Sequence, residues 1–185
     1  MIAHADTYRF SVEEFQKLVE VGIFDSHDRL ELLDGEIIVM APIGKHHANS
    51  VRRLNNRLNK LLGDVCIVDC QNAVVLDDFS EPQPDIILLR LEIDTTDELP
   101  RPEDILLVVE VADTTLRFDS TTKLRAYARA GLPEYWIVNL AEGAVDVYLK
   151  PTGDGYAEHF RRKRDETLAP TAFPDRTIAV AEILP

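Results

Sequence analysis

The chain has 185 residues, 45% of them hydrophobic and 29% charged, the balance of a globular protein large enough to bury a core without staples. Thirty-three acids against twenty bases leave a formal net charge of −13, which excludes attachment to nucleic acid or an anionic membrane by overall charge, though not a local basic surface. No apolar run reaches the roughly 18 residues of a spanning helix, and residues 1–10 lack the basic start and apolar stretch of a secretory leader. Cys66 and Cys70, on one face of a strand-like segment, have the pattern of neither a disulfide framework nor a zinc knuckle. A single domain over residues 1–185 in a cytoplasmic, reducing setting is expected.

In chain order, Ser11 and Glu14 form a capping box that opens a helix. Its apolar positions are Val12, Phe15, Leu18 and Val19, and Gly22 stops it. Asp34-Gly35 between two apolar runs predicts a two-residue hairpin. Pro42 and Gly44 break the chain before a helix over 45–62 that Gly63 ends. Val51, Leu54, Leu58, Leu61 and Leu62 form its apolar stripe, opposite Arg53, Arg57 and Lys60. Strands are expected over 65–70, 72–76, 84–90 and 104–113, the last with the unbroken Ile, Leu and Val of a strand buried on both faces. A helix over 120–130 ends at Gly131, and strands over 134–140 and 144–150 meet at Glu142-Gly143. After a turn at 153–155 the tail adds one or two edge strands. The fold class is α/β or α+β, with helices around a mixed central sheet.

Polar residues in apolar surroundings mark a candidate site. Glu110 lies inside the run ILLVVEVA, and strand alternation places it with Leu106, Val108 and Ala112. A bare carboxylate there costs several kcal/mol, so it needs a proton, a cation or a metal, unless it faces solvent at a strand end or joins a structural ion pair. Asp85 opens the neighbouring run after Pro84. Alone, that is ordinary turn chemistry; beside Glu110, it makes a pair of carboxylates suited to a hard divalent cation.

Lys123 shares a helix face with Asp119, Ala126, Tyr127 and Ala130, with Arg125, Ala128 and Arg129 opposite. It points inward, where it neutralises developing negative charge, unless it snorkels or simply pairs with Asp119. His47 lies near the apolar stripe of its helix, while His46 points outward. Glu31 alternates with Leu30 and Leu32, as a third acid of the site or as a cross-strand charge. Two basic clusters, Lys45, Arg52, Arg53, Arg57, Lys60 and Arg161-Arg162-Lys163-Arg164, read either as phosphate tracks or as solvated faces.

The ordered series ELLDGEIIVMAP (31–42), His47, PDIILL (84–89), VVEVADTT (108–115), Asp119, Lys123 and YARAGLPEYWIVN (127–139) resembles the Uma2 family of restriction-endonuclease-like proteins, in the PD-(D/E)XK nuclease superfamily. The resemblance covers about residues 8–150. It implies a restriction-endonuclease-like fold with a mixed central sheet flanked by helices. It also implies that Asp85 and Glu110 ligate one metal ion, Mg²⁺ or Mn²⁺, with the backbone carbonyl of Val111. Glu31 and His47 fall on positions typical of the family. The superfamily lysine normally stands two residues after the second acid, where this chain has Ala112; Lys123 looks like that lysine moved to the following helix.

The resemblance thus implies Mg-dependent endonucleolytic hydrolysis of DNA phosphodiester bonds, with Asp85, Glu110, Lys123, Glu31 and His47 at the site. A homodimer is expected by analogy if both strands are cut, with weak, salt-dependent DNA association and no membrane partner. The alternative is a nuclease fold with little or no catalysis that serves as a binding module. A two-carboxylate glycosidase is disfavoured by the inward Lys123 and the lack of an aromatic sugar platform.

Overall fold

The structure is a computed structural model that describes residues 7–25, 28–95 and 97–185. Residues 1–6, part of the stretch read for a leader, lie outside the described residues. Helix α1 (Val12–Glu20) begins with the expected capping box: Ser11 Oγ accepts from the Glu14 N–H, and Glu14 accepts from the Ser11 N–H. It buries Val12 and Phe15, while Val19 is exposed at the helix end, contrary to the predicted stripe. Strands β1 (Leu30–Leu33) and β2 (Glu36–Val39) form the predicted antiparallel hairpin. Asp34 (φ 51°) and Gly35 (φ 78°) both sit in the left-handed region that a tight two-residue hairpin turn requires.

Helix α2 (Lys45–Leu62) buries Val51, Leu54, Leu58 and Leu62, as its period predicts, with Leu61 at the margin of the core. Strands β3 (Ile67–Cys70), β4 (Ile86–Leu89), β5 (Ile105–Ala112), β6 (Glu134–Asn139), β7 (Ala144–Pro151) and β8 (Tyr156–Lys163) follow in sequence and lie in that order in one six-stranded sheet. Only β5 and β6 are parallel, and a helical crossover joins them. The crossover comprises α3 (Leu116–Phe118), a π-helical turn (Asp119–Lys123) and α4 (Leu124–Arg129). Two short strands, β9 (Thr167–Leu168) and β10 (Ile178–Ala179), pair with each other before α5 (Val180–Ile183).

The sheet divides the core into two layers. On one face α2 and the C-terminal tail pack on Ile86, Leu88, Leu107, Val109, Val111, Trp136 and Val138. On the other, Ala126 and Tyr127 of the crossover pack with Ile87, Val108, Tyr135 and Ile137. Buried Glu134 ties the tail to the sheet by accepting bonds from Trp136 Nε1 (2.6 Å) and from the Thr171 N–H (2.7 Å) and Oγ1 (2.6 Å). Cys66 and Cys70 are free thiols. Among the described residues, no helix is long and apolar enough to cross a membrane.

Three local expectations change. Residues 72–76 are not a strand: the Val74 and Val75 N–H groups bond to the carbonyls of Pro82 and Pro100. Pro82 and Pro84 have no N–H to return, so no ladder can form there. A bulge opposite Leu88 and Leu89 displaces Leu106, which packs with the layer opposite Glu110. The helix predicted over 120–130 starts earlier, at Leu116, and runs through a π turn at Asp119–Lys123, and Ala128 beyond it is buried with Ala126 and Tyr127 rather than outward.

Candidate active site

The carboxylate pair follows from the strand register. Ile86 of β4 stands opposite Val109 of β5, so the next position outward sets Asp85 against Glu110. Alternation turns both away from the α2 layer and toward the crossover. Asp85 is 6% and Glu110 4% exposed. Asp85 Oδ2 accepts from the Val111 N–H at 2.9 Å and lies 2.9 Å from His47 Nε2, while Gln71 Nε2 donates to Oδ1 at 3.2 Å. Burial alone would raise the Asp85 carboxyl, but the His47 bond and charge, the Val111 amide and Gln71 outweigh it and hold it below the ordinary range.

The π turn brings Lys123 inward to the second carboxylate. Lys123 Nζ lies 2.9 Å from Glu110 Oε1 and 3.0 Å from Glu31 Oε2. Tyr127 Oη donates to the same Glu110 oxygen at 2.7 Å. Burial pushes the Glu110 carboxyl up to about 8, against the pull of Lys123. For Lys123, desolvation favours the neutral amine, but the facing carboxylates of Glu110, Glu31 and Asp119 prevail and keep it charged. Glu31 also accepts the Gln83 N–H at 3.3 Å, which seats the hairpin on the site.

Asp119, 3% exposed, completes the cluster. Thr115 Oγ1 donates to its carboxylate at 2.5 Å, and burial raises it to about 6. All of these acids, with His47, Val111 and Lys123, line one cavity of about 350 Å³.

All the site residues expected from the sequence therefore converge: Glu31 from β1, His47 from the first turn of α2, Asp85 just before β4, Glu110 and Val111 from β5, and Lys123 from the π turn. Lys123 pairs with Glu31 and Glu110 at 3.0 and 2.9 Å rather than with Asp119, the partner helical spacing offered. Gln71, Tyr127 and Asp119 also touch or flank the acids, and the sequence had not singled them out for that. Asp119 and Tyr127 share the inward helix face with Lys123, a signal that was readable. Gln71 had none; it reaches Asp85 from a backbone at φ 57° just past β3.

A divalent cation fits this donor set. Among the described residues, no group of three or more His, Cys, Asp or Glu could hold a metal ion. Mg²⁺ and Mn²⁺ do not need one: one or two carboxylates suffice, with waters and substrate phosphate completing the shell. Three donors on the four lone-pair sites of Asp85 leave one open, and both donors to Glu110 use Oε1, leaving Oε2. The Val111 N–H points to Asp85, so its carbonyl, on the same strand edge, turns the same way.

A mixed six-stranded sheet flanked by helices, with buried acids at the end of its central strands, is the architecture of restriction-endonuclease-like nucleases. The chain belongs to the Uma2 family, described as "Putative restriction endonuclease", which it matches over residues 12–181. A solved structure of a protein from Anabaena variabilis, described as a putative nuclease of DUF820, superposes with a TM-score of 0.72 at 14% identity, covering 94% of this chain and 97% of that one. The type IIG restriction endonuclease BpuSI superposes with a TM-score of 0.40 at 17% identity, over 64% of this chain and 14% of that one, too loosely to support an argument. No curated protein matches the chain.

Proposed function

We propose that this chain is a metal-dependent nuclease that hydrolyses DNA phosphodiester bonds. The observation that carries the reading is the constellation itself: Asp85 opposite Glu110, with Lys123 Nζ 2.9 Å from Glu110, on the floor of one cavity. Asp85, Glu110 and the Val111 carbonyl are the residues that would hold Mg²⁺ or Mn²⁺, which when bound lowers the pKa of a water and polarises the phosphate. Lys123 supplies the ammonium that Ala112 lacks and faces the charge that develops on the phosphate. Glu31 orients Lys123, and His47 orients Asp85. One chain carries one cutting site, so a second copy is needed only where both strands are cut.

The test is cleavage of plasmid and of single-stranded DNA with Mg²⁺ or Mn²⁺, comparing wild type with Asp85→Asn, Glu110→Gln and Lys123→Met. Loss of cleavage by at least about 100-fold in each variant is expected, since the effects act at the reacting centre. Cleavage unchanged in all three would sink the reading. The second reading, a non-catalytic binding module, draws on the ion pairs that occupy Lys123 on both sides. It would be favoured if calorimetry found no Mn²⁺ binding, or binding that Asp85→Asn left unaltered.

A further inference from the structure

The nuclease reading leaves open which form of DNA the cavity admits. Asp85, Glu110, Lys123 and Glu31 are 6%, 4%, 3% and 2% exposed, so a phosphate must descend to reach them. A B-form duplex carries its phosphates on the outside of a stiff rod whose major groove alone is about 12 Å wide. A rod of that width does not fit inside a cavity of about 350 Å³, so a duplex must be bent or opened before one of its phosphates reaches the acids. An unstacked nucleotide on a flexible strand can fit, as it does in enzymes that draw a base out of its stack.

The walls suit the same guest. The lining includes the apolar residues Ile38, Val39, Met40, Pro42 and Ile43 of β2 and the segment after it, and Phe118 of the crossover. Val39 is 73% and Ile43 43% exposed at the mouth, where neither contributes to the buried core. A base face or a sugar covers such surface, and every base has one, so the contact is tolerant of sequence.

Charge points the same way. Arg29 and Lys123 are the two Lys or Arg residues among the described residues lining the cavity, and Lys123 is already held by Glu31 and Glu110. Arg29 Nη1 donates to the Ala41 carbonyl at 3.5 Å, and its remaining donors are left for one flanking phosphate. A duplex track would need a basic rim, yet no residue of the two basic clusters lines the cavity, and Arg57, Arg161 and Arg162 are paired with Glu182, Asp146 and Glu166.

We infer that the site takes single-stranded or splayed DNA, seating one unstacked nucleotide against the Ile38–Ile43 wall with Arg29 on a neighbouring phosphate. The inference rests on the nuclease reading, and two separate readouts distinguish their failures. The first is metal-free binding of a labelled pyrimidine oligonucleotide, single-stranded or annealed to its complement, followed by fluorescence anisotropy. The single strand is expected to bind at least about tenfold more tightly. The charge-neutral variants Val39→Ser and Ile43→Ser, combined, are expected to weaken single-strand binding about tenfold and leave duplex binding unchanged. Unaltered circular dichroism and melting temperature would show that they fold. Arg29→Ala should act like the wall variants. Equal affinity for both forms, or wall variants without effect, would overturn the inference.

The second readout is cleavage of the same two oligonucleotides with Mn²⁺. Duplex cut as fast as single strand would overturn the inference while upholding the nuclease reading. Wall-dependent single-strand binding without cleavage of either form would uphold the inference about the ligand and sink the nuclease reading.

Discussion

Lys123 stands between two carboxylates, with Nζ 3.0 Å from Glu31 and 2.9 Å from Glu110, and all three residues are buried. Removing the ammonium would leave two acids facing each other in a low-dielectric interior. Lys123→Ala is therefore expected to destabilise the chain by roughly 3–5 kcal/mol in urea unfolding, the usual cost of breaking a buried pair. Glu110 carries a pH signature. Its carboxyl moves from an ordinary 4.5 to about 8 on folding, first through burial, so the folded chain holds that proton more tightly than the unfolded one. Its contribution to stability is complete below 4.5 and is lost as the pH rises through about 8. Glu110→Gln, which cannot ionise, should lack that component of the slope. Unfolding free energies measured on the metal-free protein at several pH values across this window check it; identical slopes in variant and wild type would contradict it.

At the scale of elements, each site residue depends on a local device. The hairpin that carries Glu31 turns at Asp34-Gly35, where a Cβ added to Gly35 would sit 2.5 Å from Arg9 Cβ at a φ of +78°. Gly35→Ala is expected to cost more than about 1 kcal/mol in denaturant unfolding, because both the strain and the clash oppose it. It should also lower cleavage, because the displaced hairpin takes Glu31 away from Lys123. The capping box at Ser11, the hairpin, the stripe of α2 and the buried run of β5 were all legible, because each is a local pattern. The π turn was not. It spans Asp119–Lys123 and so alters how those two residues face each other; Lys123 points inward as a wheel with 3.6 residues per turn places it, while Ala128, in the regular turn beyond, is buried although the wheel places it outward. Residues 72–76 misled for the opposite reason. Their composition is that of a strand, but their partners are loop carbonyls at prolines.

For the whole molecule, the net charge of −13 combines with how the bases are spent. The sequence offered two basic clusters as phosphate tracks. In the fold, Arg57 pairs with Glu182, Arg176 with Asp64, and Arg161 with Asp146 and Glu142, while Arg53 and Arg164 bond to the carbonyls of Leu184 and Pro185. Lys45, Arg52, Lys60 and Lys163 of those clusters have no acidic partner among the described residues, but none of them lines the cavity. Weak association still follows, but its salt dependence is shallower than free basic clusters would produce. With one or two phosphates neutralised, the slope of log affinity against log salt on a single strand is expected near about −0.7 to −1.4. Anisotropy titrations over a range of salt concentrations measure it, and a much steeper slope would reveal a phosphate track outside the cavity.

The sequence by itself determined the pattern of helices and strands and the ordered series of residues that marks the family. It also singled out Glu110, because a carboxylate inside an apolar run demands a partner whatever the fold. The family resemblance grouped Asp85, Lys123, Glu31 and His47 with it, but which of them touch which was not in the sequence. Strand register set Asp85 against Glu110, the π turn aimed Lys123 at Glu110 and Glu31 instead of Asp119, and the packing of α2 brought His47 to Asp85 across 38 positions of sequence. The fate of the bases was likewise a tertiary matter, since Arg57 finds Glu182 125 positions away. Local spacing decides which face a side chain takes; which other face it meets depends on how distant elements pack, and the chemistry of this site lies in those meetings.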